Sequence, residues 1–337
     1  MNFGELNHEL VLFILFNIIV VFMLAIDLGL MSKQKDHTMS FKKAFRWTMI
    51  WITVSFIFAG FIYIYDTDPM NPNASQDRTL EFIAAYLLEK SLSVDNLFVF
   101  IMIFQKFKIS NEHQPDVLKW GIIGALILRA IMILSGAALV AKFSWILYFF
   151  GAFLIYTAVK IYIHRNEEEE EDFDPDSSRL LKLMRKVVPM TDQFHGRDFF
   201  KRIDGKLYAT PMLAVLVMIE TSDVIFAFDS IPAVFSVSQN PFIVYTSNIF
   251  AILGLRALYF MISGIMDLFI YLKSGVAIIL AFVGVKMLIP LVGTYVFQKE
   301  MHIPIGYSLA VIAGVLFISI ILSLPEYRRH HKQGENS

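Results

Sequence analysis

The chain has 337 residues, 56% of them hydrophobic, and its 29 Lys and Arg against 30 Asp and Glu give a formal charge of −1. Its 17 glycines bring the apolar share to about 61%, against about 45–50% in soluble domains, so a soluble globular protein is excluded. A nearly neutral chain without a concentrated basic face is also a poor nucleic-acid binder. Because cysteine is absent, disulfides, thiolate metal sites and cysteine nucleophiles are excluded.

Nine apolar runs are long enough to cross a bilayer, which takes about 20 mostly apolar residues. They lie at 10–31, 44–65, 80–105, 118–140, 145–163, 209–236, 243–263, 272–293 and 304–324. The first run is too long, and too poor in basic residues before it, for a cleaved signal peptide, so we expect it to remain as a helix. The sequence therefore predicts an all-α polytopic membrane protein with about nine transmembrane helices.

Lys and Arg are distributed unevenly between the two sides of these spans. The loops after spans one, three, five, seven and nine hold 21 of them, whereas the loops on the opposite side hold three. Since basic residues favour the cytoplasmic side, we predict an outside N-terminus and a cytoplasmic C-terminus, in a bacterial inner membrane. An odd number of spans agrees with this orientation.

Two parts of the chain resemble each other. The stretch at 89–96 aligns with the stretch at 223–230, acid over acid twice. Two further pairs of charged positions align in the same order, Arg129 with Arg256 and Lys160 with Lys286. Spans three to five and six to eight are therefore interpreted as two three-helix copies, inserted in opposite directions because three is odd. The alternative is chance similarity between apolar helices.

This interpretation divides the chain into five parts. They are peripheral helices one and two at 1–75, repeat one at 76–163, a cytoplasmic loop, acidic then basic, at 164–208, repeat two at 209–293, and helix nine with a basic tail at 294–337. In the loop, the acidic run at 167–172 is typical of a solvated linker, with a weak Mn²⁺ sensor as the alternative. The stretch from Leu180 to Val188 alternates basic and apolar residues and predicts a helix on the inner leaflet.

Eleven ionisable side chains fall within the predicted spans, where each costs at least about 2.5–3.5 kcal/mol at the bilayer centre. They are Asp27, Glu89, Lys90, Asp95, Arg129, Lys160, Glu220, Asp223, Asp229, Arg256 and Lys286. We expect Arg129 and Arg256 to be structural counter-ions and Lys160 to reach the interface. The candidate gate or charge partners are Asp27, Lys90, Arg129, Arg256 and Lys286.

The remaining acids stand among hydroxyl and amide side chains, without histidine. They are Glu89, Asp95, Glu220, Asp223 and Asp229, with Ser91, Ser93, Asn96, Ser222 and Ser230 as neighbours. Oxygen ligands of this kind suit hard divalent cations such as Mn²⁺, Mg²⁺ or Ca²⁺. The alternative is that these acids only neutralise the buried bases. No organic cofactor is expected.

Helix geometry separates these acids. At about 100° per residue, Glu89 and Asn96 share a face, whereas Asp95 points about 120° away from Glu89. In span six, Glu220 and Asp223 are neighbours at i and i+3.

Asp229 faces the side of span six opposite to Glu220, so straight helices cannot bring all the acids into one pocket. Proline removes a backbone donor and clashes with the carbonyl four residues earlier. We therefore predict a kink or unwinding at Pro232 that frees the carbonyl oxygen of Phe228 beside Asp229.

Four motifs carry a resemblance to a known family. They are Ala-Ile-Asp-Leu at 25–28, Glu-Lys-Ser-Leu-Ser-Val-Asp-Asn at 89–96, Glu-Thr-Ser-Asp-Val-Ile-Phe-Ala-Phe-Asp-Ser-Ile-Pro-Ala at 220–233, and Thr-Ser-Asn-Ile-Phe-Ala-Ile-Leu-Gly-Leu-Arg-Ala at 246–257. Over roughly 10–324 the chain resembles the TerC integral-membrane family, nearest its Alx-type branch. The resemblance implies a member of the LysE-like transporter superfamily, a manganese exporter with a historical association with tellurite resistance. It places the metal-handling acids at Glu89, Asp95, Glu220, Asp223 and Asp229, with Asn96 as an oxygen ligand.

The transport hypothesis has an energetic consequence. Moving a divalent cation out against a cytoplasm-negative potential costs about 2 × 2.3 kcal/mol per 100 mV, so we expect exchange for protons. Carboxylates in a low-dielectric cavity release protons when a metal binds, which supports such coupling. The partners expected are therefore a divalent metal ion, protons and the lipid bilayer.

Two other classes of function remain open from the sequence. One is a membrane metal chaperone or scaffold that delivers Mn²⁺ to partner or secreted enzymes. The other is a membrane enzyme of redox detoxification, which is the weakest reading because cysteine, a haem-type histidine pair and a nucleotide loop are all lacking. The sequence thus predicts a protein that is not an enzyme.

Overall fold

The computed structural model describes residues 3–32, 39–65, 74–143, 145–163, 179–191, 196–203, 205–263, 271–293 and 303–334. Within these ranges the side chains at 3–10, 12, 27–32, 65, 95, 179, 272, 273 and 324–334 are outside the description. The side chains of two predicted site residues, Asp27 and Asp95, are therefore not described. The acidic run at 167–172 also falls outside the described residues.

The described part of the chain is built from helices and one small hairpin. The elements are α1 Phe3–Ser32, α2 Phe41–Tyr65, α3 Ala74–Lys106, α4 Gln114–Lys142, α5 Ile146–Ile163, α6 Arg179–Val187, β1 Phe200–Ile203, β2 Lys206–Ala209, α7 Pro211–Val237, α8 Pro241–Ile252, α9 Leu255–Ser263, α10 Leu272–Val292 and α11 Ile305–Gly334. The predicted all-α membrane class is confirmed in outline.

Six helices are long and apolar enough to cross a membrane, namely α2, α4, α5, α7, α10 and α11. The pair α8 and α9, bent by 44° at its break, supplies a seventh if it counts as one span. In α1 the apolar stretch among described residues is Phe13–Ile26, and the 33-residue α3 has Glu89 and Lys90 near its middle. The described residues thus give six or seven apolar spans, and the predicted nine are not confirmed.

The long α3 is the element around which the bundle packs. It contacts α2, α7, α8 and α11, while α4 packs on α7 and α8. A second apolar cluster joins α1 and α2 to α3 and α8 through aromatic rings, with the ring centroids of Phe58 and Phe250 4.9 Å apart. Because α3 is covered on several sides, Glu89 and Lys90 near its middle meet protein rather than lipid.

Two glycines set the close crossing of α5 and α10. A Cβ on Gly284 would lie 2.7 Å from the carbonyl oxygen of Gly151, and one on Gly151 would lie 3.0 Å from the carbonyl oxygen of Gly284. Small residues at such crossings let helix backbones approach, which favours packing in membranes. The obstacle to a side chain here is backbone, which cannot rotate away.

We expect Gly284→Ala to lower the free energy of unfolding by about 1–3 kcal/mol, because the new methyl forces the two helices apart. The matched control is Gly314→Ala on α11, where nothing lies within 4 Å of the added Cβ. That variant should be neutral or slightly more stable, since alanine favours a helix over glycine. Unfolding in detergent measures both, and equal effects would contradict the account of the crossing.

The helix break in the membrane region does not lie at Pro232. The helix α7 runs unbroken from Pro211 to Val237 through Pro232, so unwinding there is wrong, whereas a kink, the other form of the prediction, stays a prediction. The residues around the proline, 230–235, are all buried, and their packing outweighs the lost backbone hydrogen bond. The break lies instead in the predicted seventh span, at Leu253 and Gly254 between α8 and α9, and Gly254 has a φ of +78°.

The predicted cytoplasmic loop contains an ordered unit. The expected helix at 180–188 is present as α6, and the hairpin of β1 and β2, which sequence analysis missed, follows it. The two strands pair antiparallel with Phe200 opposite Ala209, and Gly205 in the turn has a φ of +78°. Residues 188–191 run beside β2, where the amide of Ala209 donates to the carbonyl of Pro189 at 2.9 Å.

Candidate functional site

A buried arginine joins two of the predicted site acids. Arg129 of α4 is 2% exposed, and its Nη1 donates to Oε2 of Glu89 on α3 at 2.5 Å. Its Nη2 and Nε donate to the two carboxylate oxygens of Asp223 on α7, at 3.1 and 3.4 Å. Nη1 also donates to Oδ1 of Asn248 on α8, at 3.3 Å. These four residues form what we call the Arg129 cluster.

The Arg129 cluster lies where four helices meet and sets two carboxyl groups against one guanidinium. Glu89 is fully buried and Asp223 is 3% exposed, so two carboxylates face one guanidinium away from water. The buried hydroxyl of Ser230 acts on the Glu89 carboxylate, although among the described residues neither this hydroxyl nor Oε1 of Glu89 makes a hydrogen bond of standard geometry. A buried polar group without a partner is costly, so this oxygen marks a place where a cation or proton would be stabilised.

Asn248 belongs to this cluster, although sequence analysis did not select it. Its Nδ2 donates to the carbonyl of Val244 at 3.1 Å, which directs Oδ1 towards the guanidinium. The available signal was three consecutive polar residues, Thr246, Ser247 and Asn248, inside an apolar run, and all three are fully buried. A polar triplet of this kind in a span indicates an internal contact.

Asp229 lies on another side of α7, as the helical geometry predicts. Its Oδ1 accepts a hydrogen bond from Oγ1 of Thr157 on α5 at 3.2 Å. The charge of Lys160, one turn further along α5, also acts on this carboxylate. The predicted set of acids is therefore divided between the α4 and α5 sides of α7.

Glu220 occupies a third position, against a glycine surface on α4. A Cβ on Gly124 would collide with its carboxylate, and one on Gly121 would lie 4.0 Å from its Oε1. Its Oε2 is buried and has no hydrogen-bond partner among the described residues. The small residues of α4 thus make room for a half-buried carboxylate one helical turn from Asp223.

The side chain of Lys90 contacts the end of α8, next to the break between α8 and α9. Its Nζ donates to the carbonyl oxygen of Ala251 at 3.1 Å, in the last turn of α8. A cation is favoured there because the last carbonyls of a helix are unpaired and carry partial negative charge. Arg256 follows within α9 and is 7% exposed.

Two other predicted residues lie in different surroundings. The charge of Lys286 acts on Glu81, whose Oε2 accepts a hydrogen bond from Ser238. Asn96 on α3 is 4% exposed, and its place on one face with Glu89 stays a prediction.

Gly254 is required at the break for two reasons. Its positive φ strains any residue with a side chain, and a Cβ there would collide with the indole of Trp51, which is 3% exposed. We expect Gly254→Ala to lower the free energy of unfolding by about 2–4 kcal/mol, from strain and overpacking together.

A matched variant separates the two causes. Gly205 has the same φ of +78°, yet nothing lies within 4 Å of a Cβ there. Gly205→Ala should therefore cost only the strain, about 1 kcal/mol. Thermal unfolding of the two purified variants gives the difference, and an equal loss of stability would show that Trp51 yields without cost.

The described residues hold no group of three or more His, Asp or Glu side chains close enough to bind a metal ion. The reason is visible in the geometry, since Arg129 engages Glu89 and Asp223 together while Asp229 faces α5. Two carboxylates and one amide oxygen nevertheless converge on a single positive charge. The arrangement is a buried ion-pair cluster centred on the guanidinium of Arg129.

Comparisons with known proteins agree with this membrane architecture. The family model described as "Integral membrane protein TerC family" matches residues 74–332. The "Putative membrane-bound redox modulator Alx" of Salmonella typhi is 45% identical over 308 residues, which cover 91% of this chain and 92% of that protein. The protein of the same name from Escherichia coli strain K12 is 44% identical over 318 residues, covering 94% and 95%.

A further relative carries a less specific name. The "Uncharacterized membrane protein STKORF319" of Myxococcus xanthus is 45% identical over 310 residues, which cover 92% of this chain and 90% of that protein. No solved structure matches the chain. The family match covers most of the chain and includes every residue of the Arg129 cluster, so this chain belongs to the TerC family of integral membrane proteins.

Proposed function

We propose that this membrane protein is a secondary transporter that exports Mn²⁺ from the cytoplasm in exchange for protons. The observation that carries the proposal is the Arg129 cluster, in which carboxylates from α3 and α7 and an amide oxygen from α8 converge on one positive charge. A structural ion pair would need one carboxylate, whereas this cluster holds two. Carboxylate and amide oxygens are the ligands preferred by Mn²⁺ and related hard cations.

Metal entry in this proposal requires Arg129 to release at least one carboxylate. Oε1 of Glu89, which Arg129 does not bind, is the oxygen that would be open to a cation within the cluster. Asn96 and Asp95 on the same helix, and Glu220 one turn from Asp223, are the further oxygen ligands that we propose. Asp229, held by Thr157 on α5, would receive the ion or a proton at a second stage.

The contacts between helices are consistent with the two predicted three-helix copies. The first copy contains α3, α4 and α5, and the second contains α7, the pair α8 and α9, and α10. The first helix of each copy packs on the second helix of the other, α3 on α8 and α9, and α7 on α4. The third helices, α5 and α10, pack on each other. We therefore propose inverted repeats with α3 as a charged span at the centre, an inner-membrane location and a cytoplasmic C-terminus. Broken helices such as α8 and α9 commonly line the site in transporters of this kind.

Two arguments support proton exchange, the cost of exporting a cation against the membrane potential and the second carboxyl group of the Arg129 cluster. Export of a divalent cation against the membrane potential costs about 2 × 2.3 kcal/mol per 100 mV, and return of two protons would balance its charge. Carboxylates that bind a metal must give up their protons, which couples the two ions at the same groups. Glu89, Asp223 and Glu220 are the carboxylates that would exchange metal for protons.

Manganese content of cells tests this function. In bacteria without manganese exporters of their own, production of the protein should lower the cell manganese content in a manganese-rich medium, as measured by mass spectrometry. Glu89→Gln should abolish this effect, since it removes one of the converging carboxylates. Asp77→Asn, at an exposed position on the same helix α3, should keep it. An unchanged manganese content with the wild-type protein in the membrane would contradict export.

A metal chaperone or scaffold is the second candidate, and it makes a different prediction. Such a protein would bind Mn²⁺ and restore activity to a partner enzyme without lowering the manganese content of the cell. The relatives' name states a redox modulator, and a role of that kind in this chain would have to act without thiols, because the sequence has no cysteine.

A further inference from the structure

The segment between α5 and α7 includes a folded unit with a distinctive surface. We call α6, residues 188–191 and the hairpin of β1 and β2 the α6–hairpin unit. Its parts are joined by backbone contacts, since Met190 forms a bridge with Ala209 and the amide of Thr191 donates to the carbonyl of Ala209 at 2.9 Å. The unit therefore presents its side chains in a fixed arrangement.

The α6–hairpin unit is attached at the ends of two membrane-spanning helices. Leu181 of α6 is 5% exposed and belongs to the main apolar cluster, and α6 contacts α7. The hydroxyl of Thr210, just before α7, donates to the carbonyl of Asp198 at 2.7 Å. Arg197 pairs with Asp116 in the first turn of α4 at 3.4 Å. These contacts hold the unit at the rim of the membrane region, where α4 and α7 begin.

The exposed surface of this unit contains large apolar side chains and basic side chains. Leu183 and Val187 on α6 are 59% and 74% exposed, and Phe200 and Leu207 on the hairpin are 47% and 55% exposed. Arg202 lies opposite Leu207 in the strand register, so it shares one face of the hairpin with Phe200 and Leu207, while Lys206 lies on the other face. The exposed basic residues are Lys182, Arg185, Lys186, Arg202 and Lys206.

The described residues of the unit carry no acidic side chain, and Asp198, two residues before β1, pairs with Lys201 at 3.5 Å. Among the described residues the surface of the unit is therefore strongly basic as well as apolar. Surfaces that combine these properties next to a bilayer bind it, because the apolar groups enter the headgroup region and the cations attract anionic lipids.

We propose that the α6–hairpin unit binds the anionic phospholipid headgroups of the bilayer that surrounds the protein. Leu183, Val187, Phe200 and Leu207 enter the interface, and the basic residues contact the headgroup phosphates. A lipid surface fits better than a protein partner, because the unit is attached to the first residues of α4 and α7. This proposal is independent of the transported ion.

A single fluorescent label tests the contact directly, because the chain has no cysteine of its own. Val187→Cys places a probe at the most exposed apolar position of α6. The full-length protein is reconstituted into vesicles of phosphatidylcholine with or without phosphatidylglycerol, each with a little lipid that carries a nitroxide near the headgroup. We expect quenching at least about twofold stronger with phosphatidylglycerol, and a decrease of this difference at high salt.

Two charge variants in the labelled protein complete the test. The combined Lys186→Gln, Arg202→Gln and Lys206→Gln changes should remove the dependence on phosphatidylglycerol. The control carries equal charge changes outside the unit, Lys42→Gln, Lys108→Gln and Lys119→Gln, and should retain it. Thermal unfolding checks that both variants are folded. Equal quenching in the two lipids, or an equal loss in the two variants, would overturn the proposal.

Discussion

Replacement of Arg129 by glutamine is expected to lower the free energy of unfolding by about 3–5 kcal/mol, the cost of breaking a buried ion pair from one side. The change leaves the carboxylates of Glu89 and Asp223 buried without a cation, and both are less than 4% exposed. Thermal or denaturant unfolding of the purified protein in detergent measures the loss. The control is Lys142→Gln at the exposed end of the same helix, which should change stability by less than about 0.5 kcal/mol.

A second variant identifies the charge as the cause. Addition of Glu89→Gln and Asp223→Asn to Arg129→Gln makes the cluster uncharged and should recover a large part of the lost stability. Groups that act together in this way give strongly non-additive effects. If Arg129→Gln alone leaves unfolding unchanged, or if the neutral triple variant is no more stable than Arg129→Gln, the ion pairing does not hold these helices together.

Replacement of Asp223 by asparagine, unlike that of Arg129, should have little effect on stability and a large effect on transport. It leaves Arg129 paired with Glu89 alone, so the buried cluster becomes electrically neutral and the free energy of unfolding changes by about 1 kcal/mol or less. The site for a divalent cation loses one of its two converging carboxylates. We therefore expect Mn²⁺ flux at least about tenfold slower, equivalent to about 1.4 kcal/mol.

The contrast between stability and flux makes this prediction specific. Thermal unfolding and Mn²⁺ flux are measured on the same preparation of Asp223→Asn, with Asp77→Asn as the control for removal of an exposed carboxylate. Wild-type flux in a well-folded Asp223→Asn protein would exclude this carboxylate from the transport route. A large loss of stability instead would mean that Glu89 alone does not compensate Arg129.

The sequence predicts the membrane class well because apolar runs and buried charges are local features. It does not predict the break at Gly254, because the run around that residue is continuously apolar and the requirement for glycine comes from Trp51 on another helix. Pro232 gave the opposite error. A local signal for unwinding is present there, but the packing of buried neighbours keeps the helix intact.

The residues of the candidate site could likewise be predicted only in part from the sequence. The sequence selects Glu89, Arg129 and Asp223 because charges are costly in a membrane. Their pairing joins residues 40 and 94 positions apart, which a repeat alignment does not give. Asn248 was missed because no acidic residue stands near it in the sequence, whereas Asn96, also an amide, directly follows Asp95.

Mn²⁺ flux into proteoliposomes with an imposed pH gradient tests the central claim most directly. The purified wild-type protein alone should give saturable flux that rises with the gradient and falls when the gradient is dissipated, and Asp223→Asn should abolish most of it. Flux that ignores the pH gradient would contradict proton exchange. The absence of flux from well-folded protein would contradict transport and favour the chaperone or scaffold.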